Sequence, residues 1–506
     1  MLYDILIRSS ETYDGKTAVV FGKRRYSYRE VLKMTDVMAE SLRKLGLKAG
    51  DRLSFYLYNC PELILVYFAC FKLGVTVVPV NDRLKEDEAR YIIRHSRPAV
   101  LISEQSLFSR VAGIMHEFDS VKHTFLLDPS EAFEGTLAFS DLLTPLRRTE
   151  PAADLSGGTG AVILYTSGTT GDPKGALLAH DQMMAHTRGH CDLVHYSSDD
   201  RTLVCLALSN NFAFSHQMLC ALCAGATLVL MPAFDPAGAL ELIEREGITM
   251  LYMMPVMFHA LNKAAESGTH PVPNDLRLAI VAGDTTPLVV FERFERFFGQ
   301  QMCEGIGMTE TQIYALNPLE AGKKFGSVGL PVGYTEVAVQ DDGGNPLPTG
   351  SIGEIAVRGN IVMHRYLDNP EANASSFRGG WFLTGDLGYF DEDGYLWFRG
   401  RRKQLIVHDG HNISPQEVEE AFYRHPDVFE VGVVGIPDAV AGESVHAFVA
   451  LREGAGPVSP EELLCFASEH IADYKLPKSI TFIDALPKGA TGKIDRRLLT
   501  TFTRAR

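Results

Sequence analysis

No long uninterrupted apolar run occurs in the 506 residues of this chain. The longest apolar stretch, 219–234, is broken by Gly225, Thr227 and Pro232, so no segment reads as a membrane-spanning helix. An excess of positive charge is also lacking. There are 48 Lys+Arg against 63 Asp+Glu, a net charge of -15, which argues against a nucleic-acid partner. The one basic cluster, Arg496, Arg497, Arg504 and Arg506, reads as a solvated tail. The eight cysteines show no metal-ligand spacing. Cys220 and Cys223 form a lone C-x-x-C in apolar surroundings with no second pair, and read as core residues. Free buried thiols imply a reducing compartment. Met1-Leu2-Tyr3-Asp4 has no basic region and no apolar run behind it, so no signal peptide is expected and a cytoplasmic location is. Internal repeats and low-complexity segments are absent as well.

What is present is an ordinary globular composition, 46% hydrophobic and 22% charged, in a chain long enough for roughly two to four domains. Up to about residue 300, apolar strand candidates (17–21, 53–57, 75–80, 99–102, 201–208, 226–230, 250–254, 278–282) alternate with helical patterns. Ser27 and Glu30 form a capping box ahead of a helix ending near Gly46, and 61–73 is a mostly apolar helix. This rhythm predicts an α/β fold with layered, largely parallel sheets. From about 326 to 400 the texture changes to short strands with Asp/Gly turns, a small β-rich subdomain. A polar break at Gly400-Arg401-Arg402-Lys403 precedes a compact α/β unit. The predicted division is therefore a large N-terminal domain, 1–402, and a small C-terminal domain, 403–506.

The most informative stretch runs from Tyr165 to Gly175. Apolar Ala161-Val162-Ile163-Leu164 precedes it and Ala176-Leu177-Leu178 follows, both strand candidates. Between them lie Thr166, Ser167, Gly168, Thr169, Thr170 and Gly171, then Asp172-Pro173-Lys174-Gly175. Glycines let backbone N–H groups turn toward an anion, hydroxyls add donors, and lysine adds charge. Such a loop holds phosphate. It is not the common P-loop, because Gly171 and Lys174 are separated by two residues and Gly175 stands where Ser or Thr is required.

This loop resembles the phosphate loop of the adenylate-forming superfamily: acyl-CoA synthetases, luciferase and the adenylation domains of peptide synthetases. Other matches follow in the family's order. Gly305-Ile306-Gly307-Met308-Thr309-Glu310 is similar to its Tyr-Gly-Met-Thr-Glu motif. The resemblance implies Thr309 on the α-phosphate and Glu310 on Mg²⁺, both in the catalytic set. Ile306 stands where the family usually has an adenine-stacking aromatic. Thr384-Gly385-Asp386 and Gly400-Arg401 match the motifs that place Asp386 and Arg401 on the ribose. Lys403 falls at the hinge position. Leu486-Pro487-Lys488-Gly489-Ala490-Thr491-Gly492-Lys493 resembles the C-terminal motif whose lysine, here Lys493, is catalytic.

The reaction implied is attack of a substrate carboxylate on the α-phosphorus of MgATP. Acyl-AMP forms, pyrophosphate leaves, and a thiol then displaces AMP. ATP, Mg²⁺ and coenzyme A are the implied cosubstrates and cofactor, with a carrier-protein thiol as the alternative acceptor. A domain rotation is implied between the two steps. His408-Asp409-Gly410-His411-Asn412 would then turn toward the site, with Asp409-Gly410 where the family often has Gly-Gly. Thr166, Ser167, Gly168, Thr169, Thr170 and Lys174 are expected on the phosphates. The site lining is expected from 205–216, 281–286 and 304–311, with Gly283, Asp284, Thr285, Glu304, Gly305 and Ile306 on the nucleotide. Asn210 or Asn211 is expected to hydrogen-bond a polar substituent of the acid, and Phe212 or Phe214 to pack on its ring; this segment resembles aryl-acid-activating members. His216 reads as a core histidine rather than a ligand. A second carboxylate on the substrate has no evident partner in 205–216.

Overall fold

The computed structural model describes residues 1–128, 133–144, 150–166, 172–268, 275–284, 286–438, 441–452, 454–489 and 493–504. Two large mixed sheets carry most of the chain. In the nine-stranded sheet, strands 303–308, 278–282, 250–253, 201–204, 227–230 and 17–21 run parallel in that spatial order. Antiparallel partners close both edges. In the eight-stranded sheet, strands 160–166, 76–80, 52–56, 100–104, 123–127 and 136–138 run parallel, and strand Lys174–Ala179 returns antiparallel on 160–166.

Helix Pro61–Leu73 explains how the two sheets share one core. All of its residues are buried, as a helix apolar on every side requires. Its Tyr67 ring stacks on Phe214 at 4.6 Å, and its side chains join a cluster reaching both sheets. The Ser27 capping box forms as expected. Ser27 Oγ accepts from the Glu30 N–H at 3.3 Å, and the Glu30 carboxylate accepts from the Ser27 N–H at 2.8 Å.

One expectation fails here. The strand read over 201–208 ends at Val204. Beyond it the Asn59 side chain takes the place of a neighbouring strand, donating to the Leu206 carbonyl at 2.8 Å and accepting from the Leu208 N–H at 2.7 Å. Released from the sheet, the chain enters a π-helix at Phe212–Leu219.

An antiparallel five-stranded sheet is built from 336–340, 353–358, 377–378, 381–390 and 396–401. Within the stretch expected to be β-rich, Leu330–Pro331 and Arg365–Tyr366 pair back onto the two large sheets. The C-terminal unit is a second five-stranded sheet, 411–413, 406–408, 442–451, 428–438 and 479–482, packed on helices Pro415–Tyr423 and Pro460–Ser468. Ser414 stands at the N-cap of Pro415–Tyr423, with Pro415 in the first turn, but its hydroxyl makes no capping bond. No helix among the described residues is long and apolar enough to cross a membrane.

Candidate functional site

Several parallel strands end at one cleft, and the sequence-predicted residues sit just beyond their carboxyl ends. Thr166 ends strand Gly160–Thr166, Gly283 and Asp284 follow Leu278–Ala282, and Thr309 and Glu310 follow Cys303–Met308. Open parallel sheets place ligands at such crevices because the loops leave the sheet there. The cleft holds a cavity of about 2000 Å³, closed on one side by the C-terminal unit. Thr166, Lys174, Asn210, Asn211, Phe212, Gly283, Asp284, Glu304, Gly305, Ile306, Thr309, Glu310, Asp386, Arg401, Lys403 and Lys493 all line it. Ser167, Gly168, Thr169, Thr170 and Thr285 lie outside the described residues.

At one end, Lys174 Nζ sits 5.0 Å above the Tyr366 ring, and the Tyr366 hydroxyl donates to Glu310 Oε1 at 2.8 Å. Glu310 and Tyr366 are both buried. Burial raises the Glu310 pKa, and the Tyr366 hydroxyl opposes that rise by bonding the ionised form. Tyr366 was missed in the sequence. Nothing in Arg365-Tyr366-Leu367 marks it, because its partner lies 56 residues away and meets it only through the short strand Arg365–Tyr366 pairing on Lys174–Ala179.

Asp386 is buried, with Arg401 Nε 3.1 Å from its Oδ1. That distance makes an ion pair, off the line of a hydrogen bond, so Oδ1 keeps its accepting capacity. The strands set this pair, since Asp386 and Arg401 are register partners across the 381–390 and 396–401 hairpin. Burial raises the Asp386 pKa, opposed by Arg401 and Lys493. Lys493 is half-buried. Desolvation and Arg401 depress its pKa, while Asp284, Asp386 and Glu310 hold it up. One ammonium thus faces three carboxylates and one guanidinium across the cleft. Glu304 is pushed up to about 8 by burial, with Thr286 opposing. Gly283 has φ +102, and a Cβ there would come within 2.8 Å of Met254 Sδ.

The π-helix forms a third wall. Asn210 Oδ1 accepts from the Phe212 N–H at 2.8 Å, a local turn that occupies one of its polar atoms. Asn211 Nδ2 donates to Gln312 Oε1 at 3.0 Å. The Phe212 ring meets Tyr252 at 5.7 Å and His216 at 5.3 Å. The expectation that Phe214 lines the pocket is corrected. It is fully buried on Tyr67 and faces away from the cavity, because residues four apart share one helix face, so 212 and 216 meet the cavity while 214 between them turns into the core. His216 is buried as expected, yet it lines the cavity.

Lys403 is exposed in the turn Arg402–Gln404 that joins the two units. Asp409 and Gly410 turn the hairpin between Ile406–His408 and His411–Ile413, at φ +46 and +79. Aspartate tolerates that left-handed conformation, so the turn geometry of a Gly-Gly pair is kept without the first glycine. Ile406 at the base of this hairpin reaches the cavity lining, but Asp409 and Gly410 at its turn do not, whereas Lys493 lines it.

Residues 6–367 match the AMP-binding enzyme family and residues 417–493 match the AMP-binding enzyme C-terminal domain. An indoleacetate–CoA ligase of Aromatoleum aromaticum is 33% identical over 483 residues, covering 95% of this chain and 94% of that protein. A long-chain-fatty-acid–CoA ligase of Bacillus subtilis is 31% identical over 533 residues, covering 98% of this chain and 94% of that protein. The solved anthranilate CoA ligase in complex with anthranoyl-AMP superposes with a TM-score of 0.92 at 29% identity, over 100% of this chain and 98% of that one. These relatives are CoA ligases, and none of them points to a carrier protein. With Thr166, Lys174, Glu310, Asp386, Arg401 and Lys493 gathered on one cleft, the chain belongs to the AMP-binding enzymes and is an AMP-forming acid–thiol ligase.

Proposed function

We propose that the acid activated here is an aryl or similar cyclic carboxylic acid, converted to its adenylate and then to its CoA thioester. The carrying observation is that Phe212, Asn211 and Ile306 line the same cavity as Lys493, Glu310 and Asp386. An apolar wall with a few placed polar groups suits an aromatic body with one polar substituent. The indoleacetate and anthranilate ligases supply support of the same kind, and the fatty-acid ligase marks the competing reading.

In this reading Thr166 and Lys174 take the β- and γ-phosphates and Asp386 accepts from the ribose hydroxyls. Lys493 meets the negative charge that builds between the carboxylate oxygen and the α-phosphate, where a preorganised cation lowers the barrier. Thr309 is assigned to the α-phosphate. Among the described residues no cluster of three or more His, Cys, Asp or Glu forms a protein cage for a metal. One buried carboxylate, Glu310, beside a phosphate site suits Mg²⁺, which takes one or two carboxylates and completes its shell with phosphate oxygens and water. Bound there, Mg²⁺ would neutralise phosphate charge, and Tyr366 positions the Glu310 carboxylate for it. Lys403 is the proposed pivot, with the unit boundary between 402 and 403. The hairpin carrying Asp409 and Gly410 is the segment that would replace Lys493 at the cleft for thioester formation.

The test is kcat/KM for size-matched acids, hydroxyaryl against unbranched aliphatic, with wild type and Asn211→Leu. Wild type is expected to prefer the hydroxyaryl acid, and Asn211→Leu to lower that preference by about 5- to 150-fold, the range for losing a buried hydrogen bond. A wild-type preference for octanoate or decanoate would overturn the aryl reading in favour of a medium-chain acyl-CoA synthetase.

A further inference from the structure

Two hydrogen-bond acceptors carried by residues that line the cavity have their polarity determined by their neighbours. The first is Asn211. Gln312 Nε2 donates to the Thr309 carbonyl at 3.3 Å, which turns Gln312 Oε1 toward Asn211. Asn211 must therefore present its NH₂ to Gln312, at 3.0 Å, and its Oδ1 points elsewhere. That Oδ1 is buried and has no partner among the described residues.

The second is His216. The Ser215 hydroxyl donates its single proton to the Asn211 carbonyl at 2.7 Å. His216 Nδ1 lies 2.7 Å from the same hydroxyl oxygen, so Nδ1 carries the ring proton and donates to it. Nε2 is then a bare lone pair, buried and without a partner among the described residues. Behind it, His186 and His190 pack against the same ring at 4.4 and 4.8 Å. Burial and these two neighbours push the His216 pKa well down, so the ring stays neutral. The Phe212 ring meets the His216 ring in a T-shaped contact at 5.3 Å.

Leaving two buried acceptors unmet is costly. A substrate donor satisfies them; a carboxylate, which only accepts, cannot. We propose that His216 Nε2 and Asn211 Oδ1 are specificity-determining acceptors selecting an acid that carries a hydrogen-bond donor on its body: a hydroxyl, an amino group or a ring N–H. The same pair rejects a second carboxylate, and it turns the reacting carboxylate away from itself toward Lys493. This rests on the reading of the Asn211–Phe212 wall as the acid pocket, but not on the acid being aromatic.

The experiment measures kcat/KM for acyl-AMP formation with two matched sets. One is phenylpropanoate bearing a para hydroxyl, amino, methyl, fluoro or carboxylate group. The other is ω-hydroxyoctanoate against nonanoate. Wild type should favour hydroxyl or amino over methyl and fluoro by about 10- to 100-fold, with the carboxylate no better than methyl. His216→Phe should remove most of that preference and leave KM for ATP in place, and Asn211→Leu should reduce it. His216→Gln, which keeps an acceptor, should retain part of it and serves if the Phe variant does not fold. A methyl or carboxylate preference in wild type overturns the proposal, as does a hydroxyl preference untouched in the folded variants. A hydroxyl preference in the aliphatic pair with poor turnover of every aryl acid leaves this proposal standing and overturns the aryl reading.

Discussion

Replacing Tyr366 by Phe isolates one hydroxyl at one end of the cleft. The ring stays, so Lys174 keeps its aromatic neighbour at 5.0 Å. What is lost is the 2.8 Å bond to Glu310 Oε1. Both residues are buried, so water cannot readily replace it. A hydrogen bond to an ionised group in such a place contributes about 1.5–3 kcal/mol, a factor of about 10 to 150. Glu310 already has a raised pKa from burial, and Tyr366 is the foremost influence holding it down. Removing the bond should therefore lift the Glu310 pKa further. The ionised form, the one that suits a magnesium-bound phosphate, then appears only at higher pH. Pyrophosphate release should fall by about 10- to 150-fold at moderately acidic pH, recover in part as pH rises, and need more magnesium for half-saturation. Thioester formation from supplied acyl-AMP should change much less. If the acidic limb of the pH profile does not move and magnesium dependence is unchanged in a folded protein, Tyr366 does not position Glu310.

Lys493→Ala should slow acyl-AMP formation by about 100-fold or more while sparing thioester formation from supplied acyl-AMP; equal losses in both steps would remove Lys493 from the first. Its depressed pKa also predicts an alkaline limb of adenylation below that of an ordinary lysine, which the alanine variant should lack. Lys403→Pro fixes φ near about -65° in the connecting turn; adenylation should survive and thioester formation fall, and two normal steps would make the residue a plain linker. The buried His186, His190 and His216 are held neutral in the fold, His190 with its pKa down to about 3, against a usual 6.5. A depressed folded pKa means the unfolded chain binds more protons, so stability is present above about pH 6.5 and is lost as pH falls below it. Denaturant melts between pH 7 and 4 should show this loss, with a shallower slope in His190→Leu by about 1.4 kcal/mol per pH unit; parallel slopes would refute it.

The amino-acid sequence by itself determined the chemistry. Thr166 and Lys174 bracket a hydroxyl- and glycine-rich segment between apolar strands, whose residue types suit the phosphate role proposed for it. Glu310, Asp386, Arg401 and Lys493 each stand in a short motif, so their residue types and local neighbours already suited the roles proposed for them. Alternating apolar segments likewise made the layered α/β architecture legible, because strand and helix periodicity is local. Tertiary structure alone decided what depends on distant partners. Tyr366 reaches Glu310 across 56 residues of chain, and Asn59 ends the strand at Val204 from nearly 150 residues away. Packing on Tyr67 took Phe214 into the core and left Phe212 and His216 on the cavity; helical spacing groups 212 with 216 but does not say which face meets the core. The bare nitrogen of His216 needed Ser215 and the Asn211 carbonyl in fixed positions before its proton could be placed. Residue types are written locally, whereas hydrogen-bond polarity is a property of the assembled neighbourhood.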